Sequence, residues 1–286
     1  MEAAAVQPEV MVKKASGELE PFVPGKLADS LRSAGADEEL VESILADIRG
    51  SLVEGMTTRK IYARALSLLG RRRRAARSRY RVKDALMELG KSGYPFERYI
   101  GEIFTALGYQ VEVGIVVPGV AITHEMDVIA TGKGRQLLLE CKYSQKQDNH
   151  VSIQVPLYVR SRVDDIVARR RDEEQWQGLE FIGGIVTNTR FSDDSISYAH
   201  HYGLELLSWD YPRGNALRDL VERFRIYPVT ILSTISAATK ETLIAEGIVS
   251  CQQLARDSRI PLELGLGAKK RHALESELHA ILGTKE

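Results

Sequence analysis

Glu125-Met126-Asp127-Val128-Ile129-Ala130-Thr131-Gly132-Lys133-Gly134-Arg135-Gln136-Leu137-Leu138-Leu139-Glu140-Cys141-Lys142 is the stretch on which the fold of this chain turns. Residues 126–130 and 136–143 are short runs rich in large apolar side chains, and the glycines of 131–135 suit a tight turn between them. With Lys133-Gly134 as the two central turn residues, Asp127 falls directly across from Glu140. Opposed residues on one sheet face sit roughly 4.5–5.5 Å apart at Cβ. Side chains alternate along a strand, so Lys142 shares the face of Glu140 and Cys141 points the other way. One face is therefore expected to carry Asp127, Glu140 and Lys142, and the other Met126, Val128, Leu139 and Cys141.

Two carboxylates at that distance repel each other unless a cation lies between them. A hard divalent ion with oxygen ligands, such as Mg²⁺, fits the gap. One or two such ions held against a phosphate neutralise developing negative charge and lower the pKa of a bound water. The lysine is a compact cation that can orient or help deprotonate that water, or stabilise the pentacovalent state. An ordinary surface Glu–Lys pair is the simpler alternative. The apolar Leu-Leu-Leu run before Glu140 and the cross-strand Asp127 favour the metal reading.

The 286 residues, 44% hydrophobic and 27% charged, describe a globular chain with room for two or three domains. Net charge is zero, so any nucleic-acid surface must come from local clustering. Cys141 and Cys251 match no zinc spacing, and a reducing cytoplasm is the default. The first residues lack the pattern of a signal peptide, and no apolar run approaches the roughly 20 residues that span a bilayer, so no membrane partner is expected.

After a loose tail at 1–9, residues 10–23 read as a small hairpin turning at Ser16-Gly17. Helices follow near 25–33 and 37–54, the second with Asp37, Glu38 and Glu39 at its start. Gly55-Met56-Thr57-Thr58 then breaks the chain, with Thr57 or Thr58 capping the next helix. Val12-Lys13-Lys14, Gly17, Glu20, Phe22, Lys26-Leu27 and Gly55-Met56-Thr57-Thr58 resemble the ATP-cone, a small nucleotide-binding regulatory domain found on ribonucleotide reductases and their repressor. The resemblance implies that Lys13, Lys14, Lys26 and Thr58, with Glu20, hold ATP or dATP. The family's Lys-Arg-Asp-Gly is here Lys-Lys-Ala-Ser-Gly, a longer turn without its acid, and a nucleotide-free cone kept for interaction is the alternative. Residues 71–83 carry eight cations and no acid around Tyr80. They read as a phosphate contact, with nucleotide or DNA, or as a solvated face.

Gly90-Lys91-Ser92-Gly93 marks a boundary. Phe96, Ile100, Ile103, Phe104 and Leu107 then lie at helical spacing up to Gly108. A first strand at 109–113, the central hairpin, a helix from near Val151, a buried strand at 179–188, a helix at 191–201 and a strand at 204–209 describe a mixed α/β sheet flanked by helices. Arg169-Arg170-Arg171-Asp172-Glu173-Glu174 reads as a solvated, self-paired helix end. Phe96-Glu97-Arg98, Asp127, Glu140-x-Lys142, Gln154 and Val186-Thr187-Asn188-Thr189-Arg190-Phe191-Ser192 are similar to the core of Mrr-like, type IV restriction endonuclease-like PD-(D/E)xK nucleases, and also to archaeal Holliday-junction resolvases. That resemblance implies Asp127 and Glu140 as metal ligands and Lys142 as the catalytic lysine. It also implies Glu97 as an outer or second-metal carboxylate, and Gln154 as the group that orients Lys142 or a DNA phosphate. Gln154-x-x-x-Tyr158 matches the glutamine–tyrosine pair of the RecB-like branch. His124, His150, His200 and His201 read as structural.

Beyond a second boundary at 210–215, a connecting helix at 215–225 leads to a Gly247-Ile248 turn between helices. A second turn, Leu264-Gly265-Leu266-Gly267, precedes Lys269-Lys270-Arg271 and a final helix. This resembles a helix-hairpin-helix domain that offers backbone N–H groups to DNA phosphate; a helical packing or dimerisation domain is the alternative. The expected organisation is α/β in three domains: an ATP-cone at 1–92, a nuclease core at 93–212 and an all-α tail at 213–286. The expected function is a cytoplasmic, homo-oligomeric DNA endonuclease using Mg²⁺ or Mn²⁺, with ATP or dATP as effector, in restriction or repair. The alternative is a non-catalytic, nucleotide-responsive DNA-binding regulator.

Overall fold

The computed structural model describes residues 10–14, 17–72, 74–90, 92–257 and 264–283, and the chain divides into two compact units between Arg81 and Val82. The tail at 1–9, the Ser16 half of the expected turn, Lys91 of the expected boundary and the side chains of 71–75 in the basic run lie outside the described residues. Among the described residues no helix is long and apolar enough to cross a membrane.

In the first unit, β1 (Met11–Lys13) pairs antiparallel with β2 (Leu19–Pro21) and parallel with β3 (Met56–Thr57). Around this sheet lie α1 (Pro24–Ser33), α2 (Glu38–Ser51), α3 (Thr58–Arg72) and α4 (Arg74–Tyr80). Val12 of β1, Leu31 of α1, Val41, Ile44 and Ile48 of α2, and Ala65 and Leu69 of α3 form its core. Asp37 caps α2 by accepting the Leu40 amide at 3.0 Å, which explains the acidic start of that helix. Part of the basic run serves this unit's own packing. Tyr80 stacks on Tyr62 at 5.0 Å between centroids, and the Arg77 and Arg79 side chains lie against Gly70 and Gly35, where a Cβ would crowd them.

The second unit contains α5 (Val82–Met87), α6 (Tyr94–Ala106), β4 (Gln110–Pro118), β5 (Thr123–Gly132) and β6 (Arg135–Lys142). Next come β7 (His150–Val151), α7 (Gln154–Arg170), β8 (Glu180–Thr187), β9 (Arg190–Phe191), α8 (Asp193–Tyr202) and β10 (Glu205–Leu207). It closes with α9 (Leu217–Phe224), α10 (Ala237–Ala245), α11 (Cys251–Arg256) and a last helix, Ala268–Leu282. The sheet order is β10-β8-β6-β5-β4; β4, β5 and β6 run antiparallel, and β6, β8 and β10 parallel. This is the mixed α/β sheet between helices that the element order led us to expect. Residues 137–139 are uniformly apolar because both faces of β6 are covered. Leu137 and Leu139 join the core under α6, and Leu138 joins the core under α7 and α8.

The division of the chain differs from the expected one in two places. Val82, Ala85, Leu86 and Leu89 bury among Phe96, Tyr99 and Ile103, so 82–92 belongs with the sheet and not with the first unit. Residues 213–286 form no separate unit, because Leu220, Ile226, Tyr227, Leu278 and Ile281 enter that same core. The Tyr99 hydroxyl donates to the Ile226 carbonyl and the Thr230 hydroxyl to that of Ala85. The reading of Arg170 as a solvated helix end is also overturned. Its side chain is buried, bonds Gln136 and stacks on Trp176 at 4.6 Å, while Arg169 does pair with Glu173 at 3.2 Å.

Gly184 lies between Leu139 of β6 and Glu205 of β10. A Cβ there would stand 2.7 Å from Leu139 Cδ2 and 2.9 Å from the Glu205 carbonyl oxygen. Gly184→Ala should therefore destabilise the protein by about 1–3 kcal/mol. Urea denaturation reads this directly, and an unchanged midpoint would contradict so tight a sheet.

Candidate active site

The turn between β5 and β6 is the two-residue turn expected, with Gly132 paired to Arg135 and positive φ at Lys133 (58°) and Gly134 (75°). The same register runs back to Val128↔Leu139 and there the β5–β6 ladder stops. The strands part at the next pair, Asp127 and Glu140. β5 stays with β4, while β6 stays with β8 through Lys142↔Thr187. The Asp127 carboxylate accepts the Cys141 amide at 2.7 Å, replacing the ladder bond that parting removes.

One expectation for this hairpin is corrected. Val128, Leu139 and Cys141 do share a face, in the core under α6, but Met126 lies in the core under α7. Along β4 the same exchange occurs: Val111 and Val113 pack on the α6 side, Ile115 and Val117 on the α7 side. The change of face falls at Gly114, opposite Asp127 in the register and held at φ +65°. A left-handed residue in mid-strand turns the hairpin over, and glycine adopts that conformation at low cost. Asp127 thus sits where the hairpin passes from one face to the other.

Glu140 is buried and fully engaged. Its Oε1 accepts from Lys142 Nζ at 2.6 Å and the Tyr158 hydroxyl at 2.7 Å, and its Oε2 accepts from Arg162 at 2.8 Å. Lys142 and Arg162 also lie over the Tyr158 ring, at 5.5 and 5.6 Å from its centroid. Burial acts to lower the Lys142 pKa, but the hydrogen bonds to Glu140 and Tyr158 more than reverse it, and the ammonium is held above its ordinary range. Lys142 is therefore a fixed cation in this state, not a base. Asp127 is pushed up to about 6, by burial first and then by the charge of Glu140. Glu97, in the first turn of α6, is pushed up to about 7 by burial and by Asp127, Glu125 and Glu140. Asp127 and Glu97 thus both hold their protons more tightly beside the charge of Glu140, the electrostatic condition that a cation relieves.

Gln154 stands exposed at the first turn of α7 and makes no side-chain hydrogen bond among the described residues. The contact with Lys142 expected of it is made one turn on, by Tyr158, while Arg162, two turns on, holds Glu140. Sequence reasoning missed Arg162, although the stride of four from Gln154 through Tyr158 leads to it. Among the described residues, Asp127, Glu140 and Glu97 do not close into a three-ligand cage. Their oxygens are nevertheless the donors that suit a hard divalent cation.

The backbone behind Lys142 is clamped. The Thr187 hydroxyl donates to the Lys142 carbonyl at 2.7 Å. Asn188, fully buried, accepts the Ser144 amide at 2.9 Å and donates to the Ser144 carbonyl at 2.7 Å. Asn188→Ala leaves both Ser144 groups unpaired and should cost about 1–3 kcal/mol, measured by urea denaturation. A loss below about 0.5 kcal/mol would mean that water replaces the clamp. His124 is structural, as expected; it pairs at 2.7 Å with Asp165 of α7, which also accepts the Ala121 amide at 2.8 Å.

In the first unit, Glu20 draws together two of the expected nucleotide-binding cations, Lys14 at 2.9 Å and Lys26 at 3.6 Å. The hydrogen bond with Lys14 holds the Glu20 carboxyl below its ordinary range and the Lys14 ammonium above its own. Lys13 is exposed and pairs in register with Thr57, whose hydroxyl accepts the Lys60 amide at 3.3 Å. Lys13 is therefore beside the N-terminus of α3, whose first residue is Thr58.

Residues 227–282 match the family described as AF1548-like, C-terminal. An uncharacterized protein of Archaeoglobus fulgidus is 28% identical over 177 residues, 62% of this chain and 95% of its own length. The crystal structure of AF1548, a protein of unknown function, superposes with a TM-score of 0.55 at 25% identity, over 68% of this chain and all of that one. The MspJI restriction endonuclease in complex with a 27-mer oligonucleotide is a remote likeness: TM-score 0.34, 17% identity, 60% of this chain and 36% of that one.

Proposed function

We propose that this chain is a divalent-metal-dependent DNA endonuclease of the PD-(D/E)xK kind, with ATP or dATP as an effector at the first unit. The observation that carries the reading is the parting of β5 from β6 at Asp127 and Glu140, with Lys142 held beside Glu140. Mg²⁺ or Mn²⁺ held by Asp127 and Glu140, with Glu97 as an outer carboxylate, would supply charge neutralisation at the phosphate and a bound water of lowered pKa. Lys142 keeps its charge and faces the phosphate as a cation. Glu97, whose proton affinity matches neutral pH, is the group suited to take up a proton. Tyr158 holds Glu140 and Lys142 in one arrangement.

Lys13 beside the α3 N-terminus, with Lys14 and Lys26, suits a polyphosphate, which would compete with Glu20 for both of the latter. The chain has no Walker A loop, so the nucleotide acts by binding and is not consumed. Lys269, Lys270 and Arg271, in the first turn of the last helix, suit a DNA phosphate in the manner of a helix-hairpin-helix.

The test is cleavage of methylated, junction, flap and single-stranded DNA with Mg²⁺ or Mn²⁺, with and without ATP and dATP, by the wild type, Asp127→Ala and Lys142→Ala. Equal activity in all three proteins rejects the site. The engagement of both Glu140 oxygens by protein donors is the observation that favours a second reading, a nucleotide-responsive DNA-binding regulator that retains DNA without cutting it.

A further inference from the structure

Each oxygen of Glu140 already faces a cation. Lys142 and Tyr158 share Oε1, and Arg162 alone holds Oε2. A divalent cation at Glu140 meets a positive charge beside either oxygen, and the two oxygens differ in how readily that charge can move away. Freeing Oε1 means moving Lys142, tethered two residues away on the same strand, together with Tyr158. Freeing Oε2 means swinging one long side chain on α7 that is already 33% exposed. Arg162 also has somewhere to go. Its guanidinium lies against the exposed Tyr158 ring, and its planar fork matches two oxygens of a phosphodiester.

We propose that Arg162 is an exchangeable latch. It closes Glu140 Oε2 while no divalent cation is bound, leaves that oxygen when one binds, and then holds a backbone phosphate of the nucleic acid at the rim of the site. The latch rests on the endonuclease reading and adds a consequence that reading does not contain. Metal and DNA bind with positive coupling, because each favours the same swung-out Arg162. A cation without DNA must displace an ion pair. With DNA present, the displaced guanidinium gains a new anionic partner.

The test is calorimetric titration of the full chain with Ca²⁺, which reports binding without turnover, in the presence and absence of a short DNA duplex. The proteins are the wild type, Arg162→Met, which keeps the stem against Tyr158 without charge, Arg162→Lys and Asp127→Ala. The expected result is that Arg162→Met binds Ca²⁺ about tenfold more tightly than the wild type without DNA. DNA should tighten Ca²⁺ binding by about tenfold in the wild type and by less than about twofold in Arg162→Met. Arg162→Lys, a weaker partner for the carboxylate, should lie between them, and it decides the matter if Arg162→Met does not fold. Unchanged or weaker Ca²⁺ affinity in the folded Arg162 variants, with binding still lost in Asp127→Ala, overturns the latch and leaves the endonuclease reading standing. No Ca²⁺ binding by any of the proteins, or binding that Asp127→Ala leaves intact, overturns both.

Discussion

In Mg²⁺, Asp127→Asn should cleave DNA at least about 10³-fold more slowly than the wild type, yet in chelator at pH 8 it should be the more stable protein. The two halves have one cause. Asp127 is pushed from its ordinary 3.8 up to about 6, by burial and by the charge of Glu140. A carboxyl with a raised native pKa binds its proton more tightly folded than unfolded. Below about pH 4 both states are protonated and the site costs nothing. Between about pH 4 and 6 the unfolded state ionises while the native carboxyl keeps its proton, so the cost grows across that window and is fully present above it. The amide oxygen introduced by the substitution would still accept the Cys141 N–H, so the change removes the charge and little else. The expected gain at pH 8 is about 1–2 kcal/mol after solvent screening, or a few degrees of melting temperature, and it should disappear near pH 4. Lys142→Met should lose cleavage to a similar degree but with the opposite sign in stability, about 1 kcal/mol, because buried Glu140 then keeps fewer partners. Thermal melts in chelator with parallel cleavage assays separate these cases. Stability changes of one sign in both variants would contradict the charge arrangement, and a wild-type rate in either would remove the site.

What is legible in the sequence is what local rules decide. A two-residue turn fixes which residues face each other for as long as the ladder runs, so Lys133-Gly134 is enough to set the register up to Val128 and Leu139, one residue short of Asp127 and Glu140. The apolar stride of α6 is equally local. What escapes is set by distant parts of the chain. Alternation along a flat hairpin puts Met126 with Val128, but Gly114, in the other strand, turns the hairpin over at Asp127. Arg170 sits in a run of charges that reads as solvent-facing, and only Gln136 and Trp176, distant in sequence or across a turn, explain its burial. Arg162 continues the stride that joins Gln154 to Tyr158. A cation on a helix nevertheless gives no sign of pairing until its carboxylate is located.

The boundary expected near residue 212 leads to the largest stability effect. Asp210-Tyr211-Pro212-Arg213-Gly214 is a true break in secondary structure, but a break in the chain's local order is not a gap in its core. Beyond it, Leu217, Leu220, Val221, Ile226, Tyr227, Leu278 and Ile281 are almost wholly buried in the core that contains Phe96, Tyr99, Ile100 and Ile103 of α6. Each such side chain contributes about 1.5–3 kcal/mol by leaving water, while a domain's net stability is only about 5–15 kcal/mol. Losing all seven, and exposing the α6 face they cover, exceeds what the sheet can absorb. Tyr99 would also lose the Ile226 carbonyl that its buried hydroxyl needs. A fragment of residues 93–212, which carries every expected catalytic residue, should therefore show no cooperative thermal transition and should be digested rapidly by protease. Residues 82–286 should melt cooperatively on their own and keep metal-dependent cleavage without response to ATP or dATP. A sharp melting transition in the 93–212 fragment would show that the C-terminal helices only decorate the sheet, and that Lys269 to Arg271 could then be moved without cost to the site they are proposed to serve.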